Sequence, residues 1–94
     1  MAYRVVWSRR ASQDLEAIAE YIAADSPTYA GIVVKKVVGQ TKALSRFPRS
    51  GRKVPEFDNE DIRELLVYSY RIIYRLQEHE AVISAVIHGK RILQ

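Results

Sequence analysis

Hydrophobic periodicity changes character midway along this chain, and that change leaves few ways to fold it. Over residues 11–24 the apolar residues Ala11, Leu15, Ile18, Ala19 and Ile22 recur three and four apart, the spacing of one buried stripe on a helix. Asp25-Ser26-Pro27 then stops one helix and starts another, because a serine oxygen caps exposed amides and proline fits a first helical turn. A second stripe of Ala30, Val33, Val34, Val37, Thr41 and Leu44 predicts a helix to about Arg46, where Pro48 blocks continuation. Past the loop RFPRSGRKVPEFDNED the pattern turns to IRELLVYS, YRIIYRL and AVISAVIHG, β-branched and aromatic runs like the opening YRVVWS of residues 3–8. Such side chains pack well on a pleated surface. Ser69 is expected to turn or bulge, and residues 77–80 to form a polar turn. The predicted class is α+β in the order β-α-α-β-β-β. An N-terminal helical hairpin packs on one face of a three-to-four-stranded antiparallel sheet and leaves the other face at least partly free.

With 94 residues, 48% of them hydrophobic, the chain suits one compact domain over residues 1–94 and is too short for two. It has no cysteine, which excludes disulfides, thiolate metal sites and cysteine nucleophiles. Only His79 and His88 remain as imidazoles, so neither a metal centre nor a cofactor is expected. No run nears the roughly 18 to 20 apolar residues of a membrane span, and the N-terminus lacks signal-peptide blocks; a cytoplasmic protein is expected. LEAIAEYI and VVKKVVGQTKAL are amphipathic, but their apolar stripes are needed to cover the sheet and neither has an aromatic-rich basic face, so no membrane partner is expected. The net charge of +4 is unevenly placed: residues 26–55 hold Lys35, Lys36, Lys42, Arg46, Arg49, Arg52 and Lys53 and no acid. Such a field attracts phosphate polymers or acidic proteins, although exposed helices also carry lysines for solubility alone.

Period-two alternation puts Arg71, Ile73 and Arg75 on one face of a strand, opposite Tyr70, Ile72, Tyr74 and Leu76. The tyrosine face is the one predicted to be buried. One register of the preceding strand sets Arg63, Leu65 and Val67 beside Arg71 and Arg75. Gly89 ends the last run and releases His88, Lys90 and Arg91 at a sheet edge, a set able to grip a phosphodiester. Glu56, closing GRKVPE, can act as base for a ribose 2′-hydroxyl. A plainer reading stands beside each of these. Arg71 and Arg75 can be strand residues paired with Glu64 or Glu78, His88 can bond a strand-end carbonyl, and Glu56 can be a counter-ion for Arg52 and Arg63. Tyr68 or Tyr70 can stack on a base, whereas Tyr74 and Trp7 read as core.

Taken together, WSRRASQDLEAIAEYIAADSP, LSRFPRSGRKVPE, IRELLVYSYRIIYRL and VISAVIHGKR resemble the RelE/ParE superfamily of type II toxin–antitoxin toxins, including its plasmid-stabilisation-like members, over residues 7–91. The resemblance implies a growth-inhibiting toxin neutralised in a heteromeric complex by a cognate antitoxin, whose C-terminal segment wraps the helices and sheet. One branch of the superfamily enters the ribosome and cleaves mRNA without a metal. Residue by residue, likeness to that branch makes Arg71 and Arg91 phosphate-binding arginines and sets Glu56 and His88 near positions of acid and base work. Arg52, Lys53, Arg63, Arg75 and Lys90 are then expected along the RNA. The ParE-like branch has no recognised catalytic set and poisons DNA gyrase; it too shows RIIYR and HGxR-like endings. The expectation is a ribosome-dependent endoribonuclease, an mRNA interferase, with DNA gyrase inhibition as the alternative. Two departures from the RNase branch stand out: Ile62, Arg63 and Glu64 replace a lysine pair on the second strand, and no aromatic ends the sequence.

Overall fold

Serines open both helices of the computed structural model, which describes residues 2–93. Ser8 precedes α1 (Arg9–Ala23) and its Oγ accepts the Ala11 N–H at 3.0 Å. Ser26 precedes α2 (Pro27–Lys42), accepts the Tyr29 N–H at 3.1 Å, and hands over to Pro27 in the first turn. Caps of this kind are worth about 1 kcal/mol each, so they fix where the helices begin while burial decides that they form. A 3-10 turn at Ala43–Ser45 closes α2 just before Pro48.

The strands are β1 (Arg4–Trp7), β2 (Arg52–Lys53), β3 (Ile62–Val67), β4 (Tyr70–Gln77) and β5 (Glu80–His88). They form one sheet in the order β1-β5-β4-β3-β2. The α+β class and the element order agree with expectation, but the sheet has five strands and is mixed. β1 runs parallel to β5, with Arg4 opposite Glu80 and Trp7 opposite Ile83. Parallel neighbours need a long connection, which the helical hairpin and the three following strands supply. β2 is too short and too basic to read as a strand in the sequence.

Val67 pairs with Tyr70, so Tyr68-Ser69 is a two-residue hairpin turn. Arg71 therefore faces Leu66, Ile73 faces Glu64, and Tyr74 faces Arg63. The register anticipated above is thereby corrected: Arg63, Leu65 and Val67 lie on the Tyr74 face, and Glu64 shares the face of Arg71. The irregularity lies in β5, where Tyr74 pairs with Ile83 and Ile73 with Ala85. The unpaired Ser84 flips the alternation, so Ile83 and Val86 both join the helix-side core. Past the end of β1, Asp14 of α1 accepts the Val86 N–H at 3.0 Å.

The main core joins Val33, Val37 and Leu44 to Ile72, Tyr74, Leu76 and Ile83, with Trp7, Leu15 and Ile18 packed against it. Each fully buried aliphatic contributes about 1.5–3 kcal/mol, more than either cap. Tyr74 is wholly buried; its hydroxyl donates to the Pro48 carbonyl at 2.7 Å and accepts the Gly51 N–H at 3.0 Å. Gly51 has to be glycine, because a Cβ there would lie 2.6 Å from both the Glu64 carbonyl oxygen and the Tyr74 hydroxyl. The reverse face of the sheet carries a second, smaller cluster. Val54, Ile73, Ala85 and Ile87 are buried there under Phe57, Ile62 and Leu93. The loop after β2 and the segment after β5 thus cover much of the face the sequence left open.

Candidate functional site

On that reverse face the corrected register brings opposite charges together. Glu64 of β3 sits opposite Arg52 of β2 and one diagonal from Arg71 of β4, and its side chain is fully buried. Arg71 Nε donates to Glu64 Oε1 at 2.7 Å, and Arg52 Nε donates to Glu64 Oε2 at 2.5 Å. Val54, buried in the small cluster, anchors the loop that delivers Glu56. There the two terminal nitrogens of Arg71 make a fork, Nη1 to Oε2 and Nη2 to Oε1 of Glu56, both at 2.8 Å. Nη1 also donates to the Arg91 carbonyl at 2.7 Å, while the Leu93 N–H donates to Glu56 Oε2 at 3.0 Å. The cluster contains two cations and two carboxylates and is locally neutral.

Its electrostatics follow from those bonds. The Arg71 fork, helped by the Leu93 N–H, holds the Glu56 carboxyl at about 2, below its ordinary 4.5. Glu56, and after it Glu64, raise Arg71 further above its already high value against the opposing effect of burial. Arg71, only 5% exposed, thus spends on a carboxylate the two-pronged geometry with which a guanidinium grips a phosphate. A base works best with a pKa near the working pH, and Glu56 at about 2 is far from that.

The other predicted site residues divide into three groups. His88 is exposed at the end of β5, stacks edge-on to Tyr70 at 5.9 Å, and accepts the Lys90 N–H on Nδ1 at 3.2 Å. With Lys90, Arg52, Leu66 and Tyr68 it borders a cleft of about 300 Å³ that reaches Arg71. Arg91 meets Arg71 through its carbonyl and borders a different cleft with Ile18 and Tyr21 of α1. Three residues expected along RNA stand apart from this cleft. Arg63 is half-buried and ties down the preceding loop, donating to the Gly51 carbonyl at 2.8 Å and pairing with Glu60 at 3.0 Å. Lys53 pairs with Asp58 at 3.3 Å. Arg75 is exposed towards the far end of β4, bonded to Gln77 at 3.2 Å. Glu64 and Leu93 are the participants that a search for cations passes over. A carboxylate inside the apolar run IRELLV, one hairpin away from an arginine, is the signal for the first; the second leaves none. Among the described residues no cluster of His, Asp and Glu has metal-binding geometry, and no helix is long and apolar enough to cross a membrane.

One strand, a helical hairpin and a meander bearing a charged reverse face define a RelE/ParE-like α+β toxin fold. A family model described as "ParE toxin of type II toxin-antitoxin system, parDE" matches residues 5–93, and the chain belongs to that family. Among solved structures it is similar to a chain of the chromosomal ParDE toxin–antitoxin system from P. aeruginosa, at 24% identity and a TM-score of 0.77, covering 95% of this chain and 98% of that one. It is also similar to a chain of the RelBE2 toxin–antitoxin complex from Mycobacterium tuberculosis, at 25% identity and a TM-score of 0.60, covering 94% and 99%. No curated protein sequence matches it significantly.

Proposed function

We propose that this toxin, kept inactive by a cognate antitoxin, arrests growth by binding DNA gyrase and not by cutting mRNA. The observation that carries this reading is the saturation of Arg71. The arginine that a phosphodiester-cleaving site would need is nearly buried and forked onto Glu56. To stabilise charge building on phosphorus, it would first have to release a carboxylate it holds strongly, an unfavourable exchange in a low-dielectric site. Binding needs no such release. Membership of the ParE family favours the same target. The antitoxin partner is supported by the printed identity of both structural relatives as parts of toxin–antitoxin systems; the cationic segment of residues 26–55 suits an acidic chain that folds as it binds.

A second reading has its own observation. His88, Lys90 and Arg52 converge on one cleft next to Arg71, and with Glu56 released they would form a phosphate site. One experiment separates the two. Purified toxin is added to gyrase with plasmid DNA, and in parallel to a cell-free translation reaction whose message is mapped for breaks. Loss of supercoiling with intact message is the expected result. Cleaved message with unimpaired gyrase would replace the proposal with the ribonuclease.

A further inference from the structure

We infer that the tip of the β3–β4 hairpin, anchored by Tyr68, is the surface that grips the toxin's target protein, and that the target offers acidic groups around an apolar patch. This rests on the reading that the toxin acts by binding. In a two-residue hairpin turn with positive φ at its first central position, that position favours glycine. Here it holds Tyr68 at φ 53°. An L side chain in this region crowds the backbone, and residues kept in such conformations concentrate where strain serves function. Internal packing does not account for the ring. Tyr68 is 55% exposed and its aromatic neighbour, Tyr29, lies tilted with centroids 6.2 Å apart. A disfavoured backbone and an exposed ring together leave an external contact as the reason for tyrosine.

The surroundings describe that contact. Tyr68 stands between two clefts, one of about 460 Å³ beside Lys35 and Lys36 of α2, the other of about 300 Å³ beside Arg52 and Lys90. No aspartate or glutamate borders either. Leu66 and Ile32, at 57% and 49% exposure, supply an apolar centre. An aromatic anchor with aliphatic neighbours inside a polar rim is the anatomy of a protein-binding hot spot. Arg52 is already paired with Glu64, but Lys35, Lys36 and Lys90 demand acidic complements. Nucleic acid fits less well, since a phosphate backbone offers nothing to the aliphatic side chains.

The molecule contains its own control. Glu78, in the two-residue turn between β4 and β5, has nearly the same backbone, φ 50°, and borders neither cleft. Full-length Tyr68→Gly and Glu78→Gly are therefore compared for thermal unfolding, inhibition of plasmid supercoiling by purified gyrase, and growth arrest on induction. Both glycine variants should keep or raise the unfolding midpoint. Glu78→Gly should inhibit within roughly threefold of the parent, and Tyr68→Gly should need about 30-fold more protein, the size of a hot-spot loss. Wild-type potency of Tyr68→Gly against gyrase overturns the inference. If the parent arrests growth yet spares gyrase, the target proposed above fails and growth arrest decides the tip: arrest by Tyr68→Gly rejects it, as does message cleaved by the parent, and harmlessness of a folded variant of a parent that leaves message intact upholds it. Binding of a short duplex DNA without gyrase, lost in Tyr68→Gly, would make the partner a nucleic acid and overturn the protein contact.

Discussion

Replacing Arg71 with methionine should unfold much of what the reverse face holds together. The change removes a cation 5% exposed and leaves Glu64, whose side chain is fully buried, facing Arg52 alone, while Glu56 loses both prongs of its fork. Removing one partner of a buried pair costs about 3–5 kcal/mol, because the remaining charge stays desolvated. Against a total stability of about 5–15 kcal/mol for a domain, this is a large fraction, and in a chain of this size it lowers the melting midpoint by well over about 10 °C. The double variant Arg71→Met/Glu64→Leu should recover most of the loss, since the charges that remain, Glu56 and Arg52, both reach solvent and apolar replacement of a buried pair is often neutral. Urea melts followed by circular dichroism measure both, with Arg49→Met as control for the exposed Arg49–Asp61 pair, worth at most about 1 kcal/mol. An Arg71→Met loss no larger than that control would refute the clasp. If the variant were also folded and harmless, with Leu93 still in place, Arg71 would be a phosphate ligand.

Two further outcomes follow from the same contacts. Glu56 is depressed from 4.5 to about 2 in the folded protein, so its contribution is complete above about pH 4.5 and disappears as pH falls through 2; parent and Glu56→Gln should differ in stability at pH 7 and converge near pH 2, whereas a pH-independent gap would contradict the ion pair. Gly51→Ala should destabilise by at least about 2 kcal/mol through its 2.6 Å collisions and Tyr74→Phe by about 1–2 kcal/mol through two lost hydrogen bonds, both read from urea midpoints, and a tolerated alanine would mean that the 48–51 loop can move away.

The helices were legible because their information is local. Ser8 and Ser26 act on amides within a turn, Pro27 presets the first helical φ, and the stripe from Ala30 to Leu44 needs only the 3.6-residue period to find its face. Strands were legible as runs but not as a sheet. Nothing near Arg4–Trp7 says that its partner is Glu80–His88 in parallel, because that pairing is decided by where the helical hairpin returns the chain. β2 at Arg52–Lys53 is a strand because Arg63 and Glu64 are there to pair with it, not because of its own composition.

The site shows why cations alone mislead. Period two correctly put Arg71 and Arg75 on one face, but which β3 residues join them depends on the parity of the connecting turn. Two turn residues, Tyr68 and Ser69, send Glu64 to Arg71 and Arg63 to Tyr74; one more residue would have exchanged them and built the arginine cluster the motif suggested. A single unit of register thus separates a cationic groove from a neutral clasp. The plainer reading, Arg71 paired with Glu64, was available in the sequence and has the geometry on its side. The clasp also has a mechanical consequence. Glu56 accepts from Leu93 and Arg71 donates to Arg91, so the same charges that fill the would-be phosphate site pin residues 89–93 across the reverse face. A substitution that frees Arg71 therefore releases that segment too, and activity lost in such a variant is evidence for a phosphate ligand only when Leu93 is shown to stay in place.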